Sequence, residues 1–214
     1  MIATYPTIST SPDLAEIFPR KLYSTTFAKG KIIREHLDGI YHVNQGIVRT
    51  YRQLQDRKVH IDFFRQDEFF GEACLLPNAE DETAVAFSAC EVARWERTEF
   101  EQGLGMGQRL SLIRMLGERA ENRKNMLVNF QLTPLMLNRL CQILASLAGR
   151  IGQVCNNGDV VLPAITQGEI GSIIGSRREI ISQHMNYLRR NVGVEYSRKG
   201  ITLPAEFVTK WRVR

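Results

Sequence analysis

Five polar side chains near the end of this 214-residue sequence share a spacing that could do chemistry. Arg178, Glu179, Ser182, Gln183 and Asn186 are adjacent or three to four positions apart, so a helix would set them side by side. Their types are those that read base edges: Arg pairs with guanine, Glu with cytosine, Gln or Asn with adenine. Thr166, Ser176 and Arg177 before this group, and Lys199 after it, are expected to join it as DNA contacts. No comparable pattern supports an enzyme. Cys74, Cys90, Cys141 and Cys155 are scattered without a C-x-x-C pair, and His36, His42, His60 and His184 lack metal-ligand spacing. The sequence implies no catalytic residue, no metal and no cofactor. Cys74 reads either as a redox switch or as a small apolar side chain in a core.

Two short helices and a turn must position the polar group. Thr166 and Glu169 have the spacing of a capping box, and Ile170, Ile173 and Ile174 follow at helical intervals. Gly175 stands where a left-handed residue would end that helix. Ser176 and Glu179 have capping-box spacing again, and Ile181, Met185 and Leu188 give the second helix its apolar stripe. The pattern predicts a helix-turn-helix. A helical hairpin with a solvated outer face would share it.

Charge separates these readings. From Leu132 to Arg214 there are 11 Lys/Arg against 5 Asp/Glu, a net +6; residues 1–131 hold 17 against 18, a net −1. The basic excess sits with the two-helix stretch, as a phosphate-binding segment requires. No apolar run approaches the ~20 residues needed to span a membrane, and the N-terminus lacks the pattern of a signal peptide. Scattered thiols fit a reducing compartment, so the expected location is the cytoplasm.

Ahead of that basic part, residues 1–25 read as a lead-in with a helix from Pro12-Asp13 to Pro19. From Phe27 to about Glu96, short β-prone runs alternate with Gly30, Gly39, Gly46, Gly71 and polar turns, which predicts a β sandwich or barrel. A helical period runs from near Thr98 to Gln131, loosened at first by Gly103, Gly105 and Gly107. Leu110, Ile113, Leu116, Ala120 and Leu127 mark its apolar stripe, which needs a partner: a second copy of the chain, or its own β domain. Thr133-Pro134 should start another helix that ends at Gly149, and DVVLP reads as a short strand. After Gly193, VEYS and ITL flank Arg198-Lys199-Gly200 as a basic-tipped hairpin, suited to phosphates.

A β-roll containing FFGEACLL, a long helix, and TQGEIGSIIGSRREIISQHMNYLRR with a following hairpin together resemble the Crp/Fnr family of bacterial transcription regulators. The run DETAVAFSACEV is also similar to the family's cyanobacterial nitrogen-control regulators. The resemblance implies an α+β chain: a β-roll sensor of the cyclic-nucleotide-binding type over 1–105, a dimerisation helix over 106–131, and a winged helix-turn-helix over 132–214. It implies a homodimer on an inverted-repeat promoter site, with RNA polymerase as a further partner. Arg178, Glu179 and Gln183 match the positions of the cAMP-receptor branch's base-reading Arg, Glu and second Arg, so the third departs. Glu72, after Gly71, matches the glutamate that holds the ribose in that branch. Aligned on Ala89-Cys90-Glu91-Val92, its phosphate-gripping Arg-Ser falls on Glu80 and Asp81.

With Glu82 those residues form an acidic run hostile to a cyclic phosphate, so cAMP is not expected to be held in the family's usual way. Arg119, Arg123 and Lys124 would compensate from the long helix and, with Gly71, Glu72, Cys74, Glu80 and Asp81, outline an effector pocket for another small anion. Alternatively the acidic run is a solvated turn and no effector is needed. A sensor module acting through protein partners is the competing function; DNA binding that weakens steeply with salt would exclude it.

Overall fold

The computed structural model describes residues 24–211 except Asp56 and Ala79, and leaves aside the side chains of Arg57, Ile61, Met126, Leu127, Phe130 and Gln131. The expected lead-in helix between Pro12 and Pro19 lies outside the described residues. Two compact units divide the chain, residues 1–122 and 123–214.

The first unit is a β-roll of two antiparallel four-stranded sheets. Its strands are β1 (Ser24–Phe27), β2 (Ile32–Arg34), β3 (Gly39–Gln45), β4 (Ile47–Leu54), β5 (Arg57–Arg65), β6 (Phe69–Phe70), β7 (Thr83–Ala86) and β8 (Cys90–Glu96). One sheet has the order β1-β8-β3-β6 and the other β2-β7-β4-β5. Side chains alternate across each strand, and both faces of β3 are used. Tyr41 and Val43 join Val48, Phe64, Phe70 and Val92 in the roll's interior, while Ile40 joins Trp95, Phe100, Leu104 and Met115 in a second cluster. Phe100 lies on α1 (Arg97–Gly103) and Met115 on α2 (Met106–Leu132), so helices cover that outer face. Strand β1 escapes the sequence pattern because it is a short edge strand with three exposed positions.

The second unit combines α3 (Met136–Ile151), β9 (Gln153–Val154), β10 (Val160–Pro163), α4 (Gln167–Ile174), α5 (Arg178–Val192), β11 (Glu195–Ser197), β12 (Gly200–Leu203) and α6 (Ala205–Trp211). Its sheet runs β11-β12-β10-β9. Leu140, Leu144, Leu162, Ile170, Ile181, Met185, Leu188 and Leu203 form a core to which α3, α4, α5 and the sheet all contribute. The whole is α+β, a β-roll followed by a long helix and a winged helix-turn-helix.

Several local expectations need correction. Thr133 does not cap α3. Its hydroxyl donates back to the Asn129 carbonyl, 2.7 Å away, and so serves the end of α2. α3 starts after Leu135 and runs past Gly149 to Ile151, with Gly152 closing it. Strand β9 and helix α6 are additions: β9 is two exposed residues, and α6 is one short helix held by Phe207.

Candidate nucleic-acid interface and sensor site

The helix-turn-helix is built by local hydrogen bonds. Glu169 N–H donates to Thr166 Oγ1 at 3.1 Å, and Thr166 N–H donates to Glu169 Oε2 at 2.7 Å, a complete capping box at the start of α4. Gly175 ends α4 with φ 75°, a left-handed conformation that glycine adopts without a Cβ penalty. Gly171 is required for another reason: a Cβ there would sit 2.7 Å from the Ser176 carbonyl oxygen.

That close approach explains why the second capping box does not form. Ser176 N–H donates to the Gly171 carbonyl at 2.8 Å, which makes Ser176 part of the turn. Arg177 is the residue before α5, with no side-chain cap, and Ser176 Oγ is buried without a hydrogen-bond partner. Ser176, expected as a contact, is half-buried, with its hydroxyl enclosed in the turn.

On α5, Ile181, Met185 and Leu188 are buried. Arg178, Glu179 and Gln183 are exposed, together with Arg177, and Ser182 and Asn186 are half-buried beside them. Glu179 lies in the first turn and Arg189 and Arg190 in the last, each the sign that the helix dipole favours. Gly193 ends the helix in a left-handed conformation, φ 76°. Strands β11 and β12 pair Ser197 with Gly200, so Arg198 and Lys199 form a two-residue exposed tip. Lys199 N–H donates to Ser197 Oγ at 3.1 Å, which shapes that tip. Thr166 is exposed; its oxygen serves the cap and its hydroxyl proton remains a donor.

In the β-roll, Gly71 is left-handed (φ 89°), and a Cβ there would meet the Gly39 carbonyl oxygen at 2.3 Å. This turn delivers Glu72 and Cys74, on the 3₁₀ segment Glu72–Leu75, toward the first part of α2. Arg119 reaches Glu72: its Nη1 is 3.4 Å from Glu72 Oε1, its guanidinium lies 5.4 Å from the Phe64 ring centroid, and its side chain is 7% exposed. Burial pushes the Cys74 thiol up to about 11, with Arg97 opposing and nearby carboxylates adding to the rise.

The acidic run is not assembled around Arg119. Arg52 of β4 grips two of its members, with Nη1 2.7 Å from Glu80 Oε2 and Nη2 2.9 Å from Glu82 Oε1. His36 Nδ1 stands 3.0 Å from Asp81 Oδ2. The expected repulsion from three unneutralised carboxylates is thus overstated. Carboxylates occupy the positions aligned above with the phosphate-gripping pair, and Arg119 has Glu72 as a partner. Arg123 and Lys124 are exposed on the part of α2 that belongs to the second unit.

Helix α2 divides its apolar residues between two faces. Met115 is buried and Leu112 and Leu116 are partly buried against the Trp95–Phe100 cluster. Leu110 and Ile113 are 59% and 66% exposed, and Ala120 is exposed in the same stripe. Leu116 therefore leaves the expected stripe, because it lies ~60° round the helix from Ile113, toward Met115. The side chain of Leu127 lies outside those described. Met106, exposed, and Gly117 complete a four-three-four-three repeat from 106 to 120, the spacing of apolar positions in a coiled coil.

Comparison with known proteins agrees with this architecture. The family model described as Cyclic nucleotide-binding domain matches residues 25–105. No curated protein sequence matches. Among solved structures, TTHB099, a CRP-family transcriptional regulator from Thermus thermophilus, aligns with TM-score 0.72 and 21% identity, over 87% of this chain and 95% of that one. FixK2 from Bradyrhizobium japonicum aligns with TM-score 0.72 and 19% identity, over 91% and 99%. The c-di-GMP responsive regulator CLP of Xanthomonas campestris aligns with TM-score 0.65 and 15% identity, over 85% and 93%.

Proposed function

Starting from a chain that has the Crp/Fnr fold, we propose that it is a sequence-specific DNA-binding transcription regulator working as a homodimer on an inverted-repeat promoter site. The observation that carries this reading is α5: Arg178, Glu179 and Gln183 stand exposed on a helix whose opposite face is locked into the core. Guanine, cytosine and adenine are their respective partners in a major groove. Ser182 adds a half-buried hydroxyl, while Arg177, Thr166 and the Lys199 tip supply donors to phosphate.

The exposed seam Met106, Leu110, Ile113, Gly117 and Ala120 supports the dimer, since it would be covered by its copy. A symmetric dimer on an inverted repeat needs its two recognition helices about 34 Å apart, one helical turn of DNA. RNA polymerase is the expected further partner. We place the protein in the cytoplasm; among the described residues no helix is long and apolar enough to cross a membrane. Its work is regulation rather than catalysis.

The β-roll is read as a sensor that does not take cAMP in the usual way, its effector being another small anion or none. Arg52 on Glu80 and Glu82, and Arg119 on Glu72, support this. The decisive experiment is selection of bound duplexes from a random pool, followed by affinity against salt, with and without cAMP. An enriched inverted repeat whose affinity falls steeply with salt is expected, with no effect of cAMP. Enrichment of no sequence, or salt-independent binding, would refute the DNA reading; micromolar cAMP that tightens binding would refute the reading of the sensor.

A further inference from the structure

The hairpin and the recognition helix share a contact outside the base-reading face. Tyr196 lies on β11, and its hydroxyl donates to Asn186 Oδ1 at 2.9 Å. The Arg189 guanidinium lies over the same ring, 5.7 Å from its centroid. Asn186 and Arg189 are three positions apart on α5, so one tyrosine holds two neighbours on one helix face.

This bond changes what Asn186 can recognise. An Asn that reads adenine uses a donor and an acceptor together, at N7 and N6. With Oδ1 accepting from Tyr196, the other polar group of the amide is its Nδ2 amino group, a donor. Arg189 is a donor only. Two such groups on one platform complement an acceptor-only partner, which is what a phosphodiester offers. Position agrees with chemistry. Base contacts from a recognition helix come from its N-terminal residues. Asn186 and Arg189 stand about 12 Å and 16 Å further along the axis than Arg178. The exposed tip, Arg198 and Lys199, follows Tyr196 by two and three residues and adds cations.

We propose that Asn186 and Arg189 form a phosphate clip on the DNA backbone, with Tyr196 as the positioning residue that orients both. The proposal rests on the DNA-binding reading and moves Asn186 from base reading to backbone binding. The test uses the full-length protein and a duplex obtained by selection, with variants of that duplex altered at single base pairs. Arg189→Ala should weaken binding to every duplex by one factor. It should also make the slope of log affinity against log salt shallower by about 0.9 per subunit. Asn186→Ala and Tyr196→Phe should each lower affinity about three- to tenfold, again equally on every duplex. Tyr196→Phe keeps the ring, and Arg189 is exposed, so these two variants test the clip even if Asn186→Ala unfolds. A changed base preference in Asn186→Ala or Tyr196→Phe overturns the clip alone, as does an unchanged salt slope in Arg189→Ala. Failure of the unsubstituted protein to bind any duplex overturns the DNA-binding reading and the clip with it.

Discussion

Glu72 and Arg119 are unequal partners, and removing each should cost differently. Their attraction across 3.4 Å is about 5 kcal/mol at an effective dielectric of 20, before desolvation. Bringing a guanidinium to 7% exposure offsets much of that, so the pair as a whole contributes little. The asymmetry lies in what remains. Glu72→Gln leaves a buried cation with the Phe64 face and a neutral amide, at a cost of about 3 kcal/mol. Arg119→Met removes the buried charge itself and leaves a carboxylate that is 25% exposed and can hydrate, at a cost of about 1 kcal/mol. The double variant should resemble Arg119→Met rather than the sum, because the stranded charge is gone. The protein's two tryptophans allow the measurement. Trp95 is buried in the cluster beside α2 and Trp211 ends α6 in the other unit. Urea unfolding followed by Trp95 fluorescence, in a Trp211→Phe background, reports the β-roll. Equal costs, or a larger cost for Arg119→Met, would refute the reasoning.

Ile113→Glu should give monomers by light scattering while the Trp95 unfolding midpoint stays within about 0.5 kcal/mol of the parent, since Ile113 touches solvent in the isolated chain. Leu116→Glu should instead cost the β-roll about 2 kcal/mol, because its side chain packs against that unit's own cluster. Thr166→Ala should destabilise the second unit by about 1 kcal/mol, read from Trp211, with Thr166→Ser restoring most of it; no change would mean the cap is not needed. Alkylation at pH 8 should reach exposed Cys155 first. Cys74, with its thiol pushed up to about 11, has only about one part in a thousand as thiolate and should speed up roughly tenfold per pH unit until that value. Equal rates at the two sites at pH 8 would show Cys74 to be activated.

What the residue order determines here is whatever depends on neighbours a few positions apart. Thr166 with Glu169, Gly175 and Gly193 mark helix ends through bonds that span three to six residues, and all appear where the pattern puts them. The alternation of β3 and β4, and the stripe of Ile181, Met185 and Leu188, follow from the strand and helix repeats. Tertiary structure decided the rest. Ser176 has the spacing of a cap, yet the close approach at Gly171 claims it for the turn. Leu116 has the spacing of the dimer stripe, but which side of α2 meets the β-roll depends on Trp95 and Phe100, some 16 to 21 positions earlier. The acidic run at Glu80 is indifferent to Arg52 along the chain and is neutralised by it only because β4 and β7 are hydrogen-bonded neighbours. Asn186 has a free amide as a member of a helical pattern; the fold of the hairpin brings the Tyr196 hydroxyl to its carbonyl oxygen. Backbone hydrogen bonds of helices and turns close within a few residues, so sequence carries them. Ion pairs and side-chain bonds depend on which surfaces meet, and that is set when the whole core is buried.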